Sequence, residues 1–406
     1  MKNALPLIWP GKKYKKKACK ETIMSAQTPI DFFTPQIPKE KWHHNFKNMM
    51  KQNQDFVRTQ FQKWAEGFKD RDNKIVKEFQ ESYNSSFWEI YLHALFKELG
   101  YCPIYDYPSP DFLIEFEGHK IAIEASIASN PQGGRAEHEV NFPNDYKISN
   151  NDFNRRAIIR YANTITEKYK KYKNSYEKLD HVKGIPYVIA LGAFDQPASF
   201  LEYDRAMLPT LYGLLVDEYG DYSGEIAYQL GTSPVKIMTS IPKSETADIP
   251  LGFFRNPCMC EVSAVLYNCV ATYSKLIALA PYQENKINLF LGTKVNEAEQ
   301  IRNFKNKKPY YKETIQDGLC IFHNPWANNP LPENMFKQRG ITNYYYDITN
   351  DFFYRKRDGD FLVMRNHQGF NLIDKENEDS YSFKKKMKTR AKNKKCRKAK
   401  QKNRRK

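Results

Sequence analysis

Residues 110–126 read as two alternating runs joined by a turn, and that pattern constrains the chain more than any other stretch. Phe112, Ile114 and Phe116 recur at period two, as do Ile121, Ile123 and Ala125. Glu117-Gly118 between the runs suits a two-residue hairpin turn. Pairing Phe116 with His119 sets the register by counting. Phe112 then meets Ile123 and Ile114 meets Ile121 on one apolar face. On the other face Glu115 meets Lys120, an attractive pair, and Asp111 meets Glu124. Like charges directly opposed destabilise a sheet. Asp111 and Glu124 therefore imply a positive group between them, most simply a divalent metal.

The flanking segments supply helices and further strands. Residues 86–99 carry apolar side chains at three-to-four spacing, with Gly100 suited to a C-terminal cap. Residues 101–107 read as a first strand. Residues 155–172 read as a second helix, with Ile158, Ala162, Ile165 and Tyr169 on one face. Ile185-Pro186-Tyr187-Val188-Ile189-Ala190-Leu191 has the look of a buried strand. The order is helix, strand, strand, strand, helix, strand.

This order, with Glu89 on the first helix, Pro110-Asp111 opening the second strand and Glu124-Ala125-Ser126 on the third, resembles the core of the PD-(D/E)xK nuclease superfamily. The likeness covers residues 80–195. It implies an α/β fold with a restriction-endonuclease-like αβββαβ core, and a metal-dependent nuclease hydrolysing phosphodiester bonds. The implied substrate is nucleic acid, DNA favoured over RNA. The implied metal is Mg²⁺ or Mn²⁺ held by Asp111 and Glu124 with Glu89 near, in a bacterial host-defence or mobile-element setting. One position departs from the pattern: the family places a lysine two residues after the second acid, where this chain has Ser126. The departure motivates an alternative, a non-catalytic nucleic-acid-binding protein on a decayed nuclease fold. A factor recruited to RNA or ribosomes by its basic tails is a third reading.

Two lysines compete for the missing role. Lys120 shares a face with Glu124, but four residues of strand separate them by about 13 Å, and Glu115 is its partner. Lys168 borders the apolar face of the second helix, whose long side chain can reach past that face. It joins Glu89, Asp111 and Glu124 as a candidate catalytic residue. Glu89 also has a structural reading: Ser86-Phe87-Trp88-Glu89 fits a capping box, with Glu89 bonding back to the Ser86 backbone. His323, in His323-Asn324-Pro325-Trp326, reads as structural. Cys258-Met259-Cys260 with Cys269 lacks the paired spacing of a zinc site and reads as ordinary buried thiols.

Charge is unevenly distributed. The net charge is +17, yet residues 384–406 hold 15 Lys or Arg and residues 1–20 hold seven Lys, neither with any acid. The remaining 42 basic and 47 acidic residues balance to −5. Such tails attract phosphate without reading sequence and cannot bury apolar area; solubilising termini and acidic-lipid contacts are the other readings. The expected organisation is a Pro-containing basic arm at 1–48, a nuclease-like domain at 49–200, an accessory α+β region at 201–383 and a disordered basic tail at 384–406. Residues 49–82 read mainly as helix. In the accessory region 206–218 reads as helix, and 263–267, 287–291 and 319–322 read as strands. No run approaches the 18 apolar residues of a membrane span, residues 1–20 lack a signal-peptide core, and seven irregularly spaced cysteines fit a reducing cytosol. A cytoplasmic location is expected, and a homodimer or a protein partner stays open.

Overall fold

In a computed structural model describing residues 29–140, 149–230 and 233–371, a large mixed sheet carries helices on both faces. The chain enters through short helices α1 (His44–Met49), α2 (Asp55–Ala65) and α3 (Ile75–Glu81), followed by the long helix α4 (Asn84–Leu99). Strands β1 (Cys102–Ile104), β2 (Phe112–Phe116) and β3 (His119–Ser129) come next, then helix α5 (Asn150–Lys171) and strand β4 (Tyr187–Phe194). β1 to β3 are consecutively antiparallel, and the α5 crossover returns β4 parallel to β3. The hairpin has the register counted from sequence, Phe112 opposite Ile123 through Phe116 opposite His119. Glu117 (φ 50°) and Gly118 (φ 85°) both take the left-handed conformation that a tight two-residue turn requires.

The two faces of the β2–β3–β4 sheet bury different partners. Phe112, Ile114, Ile121 and Ile123 pack with Phe87, Trp88 and Tyr91 of α4. Ala122, Ile189 and Leu191 pack with Ile158, Ala162 and Ile165 of α5. Each fully buried Ile stabilises by roughly 1.5–3 kcal/mol. α4 lies close to the sheet because Gly192 of β4 has no side chain: a Cβ there would stand 2.9 Å from the Trp88 ring. The indole Nε1 of Trp88 then donates to the Ala190 carbonyl at 3.0 Å. Gly100 ends α4 with φ 78° as the left-handed cap.

Beyond β4 the same sheet continues. The later elements are α6 (Met207–Tyr212), β5 (Leu214–Val216), β6 (Glu225–Leu230), β7 (Ser233–Ile237), β8 (Ser240–Ser244), β9 (Ala247–Pro250), β10 (Val262–Asn268) and α7 (Tyr273–Leu279), then β11 (Lys286–Val295), β12 (Ile301–Lys307), β13 (Leu319–His323), β14 (Ile341–Asp347), β15 (Phe352–Arg357) and β16 (Phe361–Asn371). The eight-stranded sheet runs β1-β2-β3-β4-β10-β13-β14-β15, with smaller sheets β12-β11-β16, β5-β7-β6 and β8-β9. The expected boundary at residue 200 therefore does not separate two central sheets: β10 pairs directly and in parallel with β4.

Four local expectations need correction. α5 starts at Asn150 rather than 155, because Ser149 caps it by accepting the Asp152 N–H at 3.1 Å. The helix expected over 206–218 stops at Tyr212, where Gly213 (φ 66°) turns the chain into β5. The helical stretch expected over 49–82 is split into α2 and α3 by residues 66–74. The N-terminal arm packs against the helical core through Ile30, Phe32 and Phe33. Phe32 is fully buried, its ring edge-on to Phe61 at 5.2 Å and to Phe79 at 5.4 Å, so aromatic burial outweighs the prolines there. Residues 1–28 and the basic tail at 384–406 lie outside the described residues. Among the described residues no helix is long and apolar enough to cross a membrane.

Candidate functional site

Four elements bring charged side chains together. Helix α5 ends in Lys168, Lys170 and Lys171, a placement that complements the negative end of its dipole. Lys168 Nζ and Lys171 Nζ each donate to Glu124 Oε1 at 2.8 Å. They lie three residues apart and so share a helix face. The chain then makes one wider, π-type turn over Tyr172–Tyr176, a feature often found at functional sites. That turn brings the Tyr176 hydroxyl to donate to Glu124 Oε2 at 2.9 Å. Both oxygens of a fully buried carboxylate are thus satisfied.

Asp111 stands at the mouth of β2, one residue before its pairing with β3 begins. Its Oδ2 accepts the Ala125 N–H at 2.7 Å, a bond reaching across the hairpin beside Glu124. The approach to β2 is stapled by Arg71, from the segment between α2 and α3. Its guanidinium donates to the Tyr107, Pro110 and Asp111 carbonyls at 2.6, 3.2 and 2.9 Å. His181 stacks on Tyr107 with ring centres 3.8 Å apart and reaches the Ser109 carbonyl at 2.7 Å.

Glu89 joins the group from α4, next to the anchored Trp88. Its capping-box reading is corrected: α4 begins at Asn84, with Tyr83 in the cap position. The Tyr83 ring is held in the aromatic core between Phe79 and Phe87, and this draws the helix start upstream. Ser86 therefore lies inside the first turn and cannot cap it.

The electrostatics follow from this crowding. Burial, then the charge of Asp111, pushes the Glu89 carboxyl up from 4.5 to about 8. Burial and the neighbouring Glu124 push the Asp111 carboxyl up, only partly offset by the Ala125 N–H and the two lysines. Burial alone would raise Glu124 as well, but Lys168 and Lys171 outweigh it and hold that carboxyl below its ordinary range. The cluster thus holds one secured anion and two acids that resist ionising.

The structure brings Glu89, Asp111, Glu124 and Lys168 to one place. It leaves Lys120 exposed, opposite Glu115 in the register. Ser126 follows Glu124 on the same strand face and is partly exposed. Lys171, Tyr176 and Arg71 escaped the sequence reading. The three-residue spacing from Lys168 could have flagged Lys171. Arg71 gives no local signal, because it acts on carbonyls 36 to 40 residues away.

Other candidates resolve as structural. His323 ends β13, stacked on Tyr345 at 4.5 Å and bonded to Asn343 Oδ1 at 2.9 Å. Cys258, Cys260 and Cys269 are free thiols, but only Cys269 is buried and Cys258 is exposed. The expectation of three buried thiols is corrected there, since the Pro257–Met259 turn carries Cys258 to the surface. No protein-family model, curated protein or solved structure matches this chain.

Proposed function

We propose that this chain is a metal-dependent phosphodiesterase acting on nucleic acid, DNA in preference to RNA, on a frame like that of the PD-(D/E)xK nucleases. The observation that carries this reading is the convergence of three mutually repelling acids, Glu89, Asp111 and Glu124, with the ammonium groups of Lys168 and Lys171. The α-β-β-β-α-β order and the parallel β3–β4 pair support it.

The donors fit Mg²⁺ or Mn²⁺. All are hard oxygens, and a divalent cation would relieve the repulsion that raises Glu89 and Asp111. Asp111 and Glu124, with Glu89 beside them, would hold the ion. Asp111 uses Oδ2 for the Ala125 N–H and retains Oδ1 for a cation. When bound, such an ion supplies an activated water and offsets charge on the scissile phosphate.

The chain's own groups do the rest. Lys168 and Lys171 supply positive charge beside the acids, where nonbridging phosphate oxygens gain negative charge in the transition state. They take the role that Ser126 cannot fill. Tyr176 holds the orientation of Glu124. In the metal-free site the Glu89 carboxyl is raised to about 8, so taking up the cation beside it would release its proton. The basic tails add sequence-independent attraction for the phosphate backbone.

A specific observation favours a second reading, a non-catalytic nucleic-acid-binding protein. Glu124 is fully buried and both its oxygens already have protein donors, as in a purely structural ion cluster. Substitution separates the two. Under the first reading Asp111→Ala and Glu124→Ala each abolish Mg²⁺-dependent cleavage while circular dichroism shows the fold retained. Full activity in either folded variant removes the proposed site.

A further inference from the structure

A second group of metal-ligating side chains lies apart from the acids just described. His43 immediately precedes α1, and Glu137 and His138 lie in the loop that leaves β3. One ligand atom from each of the three falls within 4.8 Å of the other two. We propose that His43, Glu137 and His138 form a binding site for a divalent transition metal of the Zn²⁺ class, fastening α1 to the loop after β3.

The donor set selects the class of ion. Two imidazoles and one carboxylate suit Zn²⁺ and its neighbours rather than Mg²⁺ or Ca²⁺, which prefer all-oxygen shells. His138 Nδ1 and Glu137 Oε1 are 3.3 Å apart. That is about the ligand–ligand edge of a tetrahedron with Zn bonds of 2.0–2.1 Å. With all three atoms within 4.8 Å of one another, a shift of about 1.5 Å brings the third ligand atom to the same edge. Three protein ligands leave a fourth position for water.

The surroundings are built and largely closed. The Glu137 and His138 side chains are only 11% and 20% exposed. The His43 ring stacks on Tyr83, with centres 5.3 Å apart and planes 9° from parallel. The backbone N–H of His43 donates to the Gln80 carbonyl at 2.8 Å, which ties the residue to the end of α3. His44 stacks on His138 at 4.5 Å. Glu137 accepts from Asn45 Nδ2 at 3.3 Å and is also bonded by the Asn84 side chain. Asn84 is only 8% exposed, and its Oδ1 has no hydrogen-bond partner. The Asn84 amide nitrogen thus serves Glu137, while its buried oxygen is a further hard donor without a protein partner. Metal binding also has a cost. His43 Nδ1 accepts the Asn45 N–H at 3.2 Å, and ligation through either ring nitrogen ends that bond.

The test uses the full chain after EDTA treatment and dialysis, with Zn²⁺ and Co²⁺ as probes and Mg²⁺ as the comparison. Calorimetry is expected to show one equivalent of Zn²⁺ bound at micromolar Kd or tighter, with Mg²⁺ failing to compete. Co²⁺ is expected to give the visible ligand-field bands of a four-coordinate nitrogen–oxygen site. His138→Ala and Glu137→Gln should each weaken Zn²⁺ at least tenfold, while Asp111→Ala binds it like the parent. This readout is independent of cleavage, so the proposed nuclease reading and this site fail separately. No stoichiometric Zn²⁺ binding and no Co²⁺ bands in the parent overturn the proposal. So does unchanged binding in both site variants.

Discussion

Glu89→Gln should make the protein more stable above neutral pH, which is the reverse of the usual effect of removing a native side chain. Glu89 sits among Asp111 and Glu124, and burial with these charges raises its carboxyl from 4.5 to about 8. A raised carboxyl binds its proton more tightly in the folded state than in the unfolded chain. Its contribution is therefore fully present below the ordinary value and is lost as pH rises through about 8. At pH 7, roughly 2.5 pH units above the ordinary value, keeping that proton costs about 3 kcal/mol at 1.36 kcal/mol per unit. Solvent reaches this partly exposed side chain and screens the charge, so roughly 2–3 kcal/mol is expected. A glutamine has the same shape and carries no charge to desolvate. Urea unfolding in EDTA, from pH 4 to 8.5, should give matching free energies for variant and parent near pH 4. The variant should lead by roughly 2–3 kcal/mol at pH 7. Parallel pH profiles for the two proteins would show that Glu89 ionises normally and is not part of an acid cluster.

Two further perturbations address the proposed chemistry. Lys168→Met removes one of the two ammonium groups 2.8 Å from Glu124 Oε1. It should lower single-turnover cleavage at least tenfold, about 1.4 kcal/mol of barrier, with little change in substrate affinity; parental rates would show that the lysine plays no part in the reaction. Deleting residues 384–406 removes 15 Lys and Arg and should weaken nucleic-acid binding and flatten its dependence on salt, leaving any sequence preference in place; identical affinities from low to moderate salt would assign the tail another purpose.

The hairpin was legible because its information is local. Period-two alternation, a Glu-Gly turn and a count from Phe116 and His119 fix which residues oppose each other, and the register follows that count. Lys168 was within reach for a similar reason, since helical spacing puts it at the edge of the face defined by Ile158, Ala162 and Ile165. What lay beyond the sequence depends on distant segments. The start of α4 is set by Tyr83 wedging into an aromatic core, so the Ser86 capping signal points to the wrong residue. Arg71 acts on carbonyls of a loop far along the chain. The break after Tyr212 turns on Gly213 adopting a left-handed conformation, which glycine permits but does not compel. The continuation of the sheet from β4 to β10 joins segments separated by some 70 residues of intervening chain, and no period or motif in either strand names the other as its partner. His43 and Glu137 likewise share a site only because α1 folds back against the loop after β3.

Metal-dependent hydrolysis at the Glu89–Asp111–Glu124 cluster is checked by incubating the purified 406-residue chain with panels of single- and double-stranded DNA and RNA, in Mg²⁺, in Mn²⁺ and in EDTA. Phosphodiester cleavage is expected with either metal, strongest on DNA, and none in EDTA. Binding of nucleic acid with no cleavage under any metal, or cleavage that persists undiminished in EDTA, would contradict it.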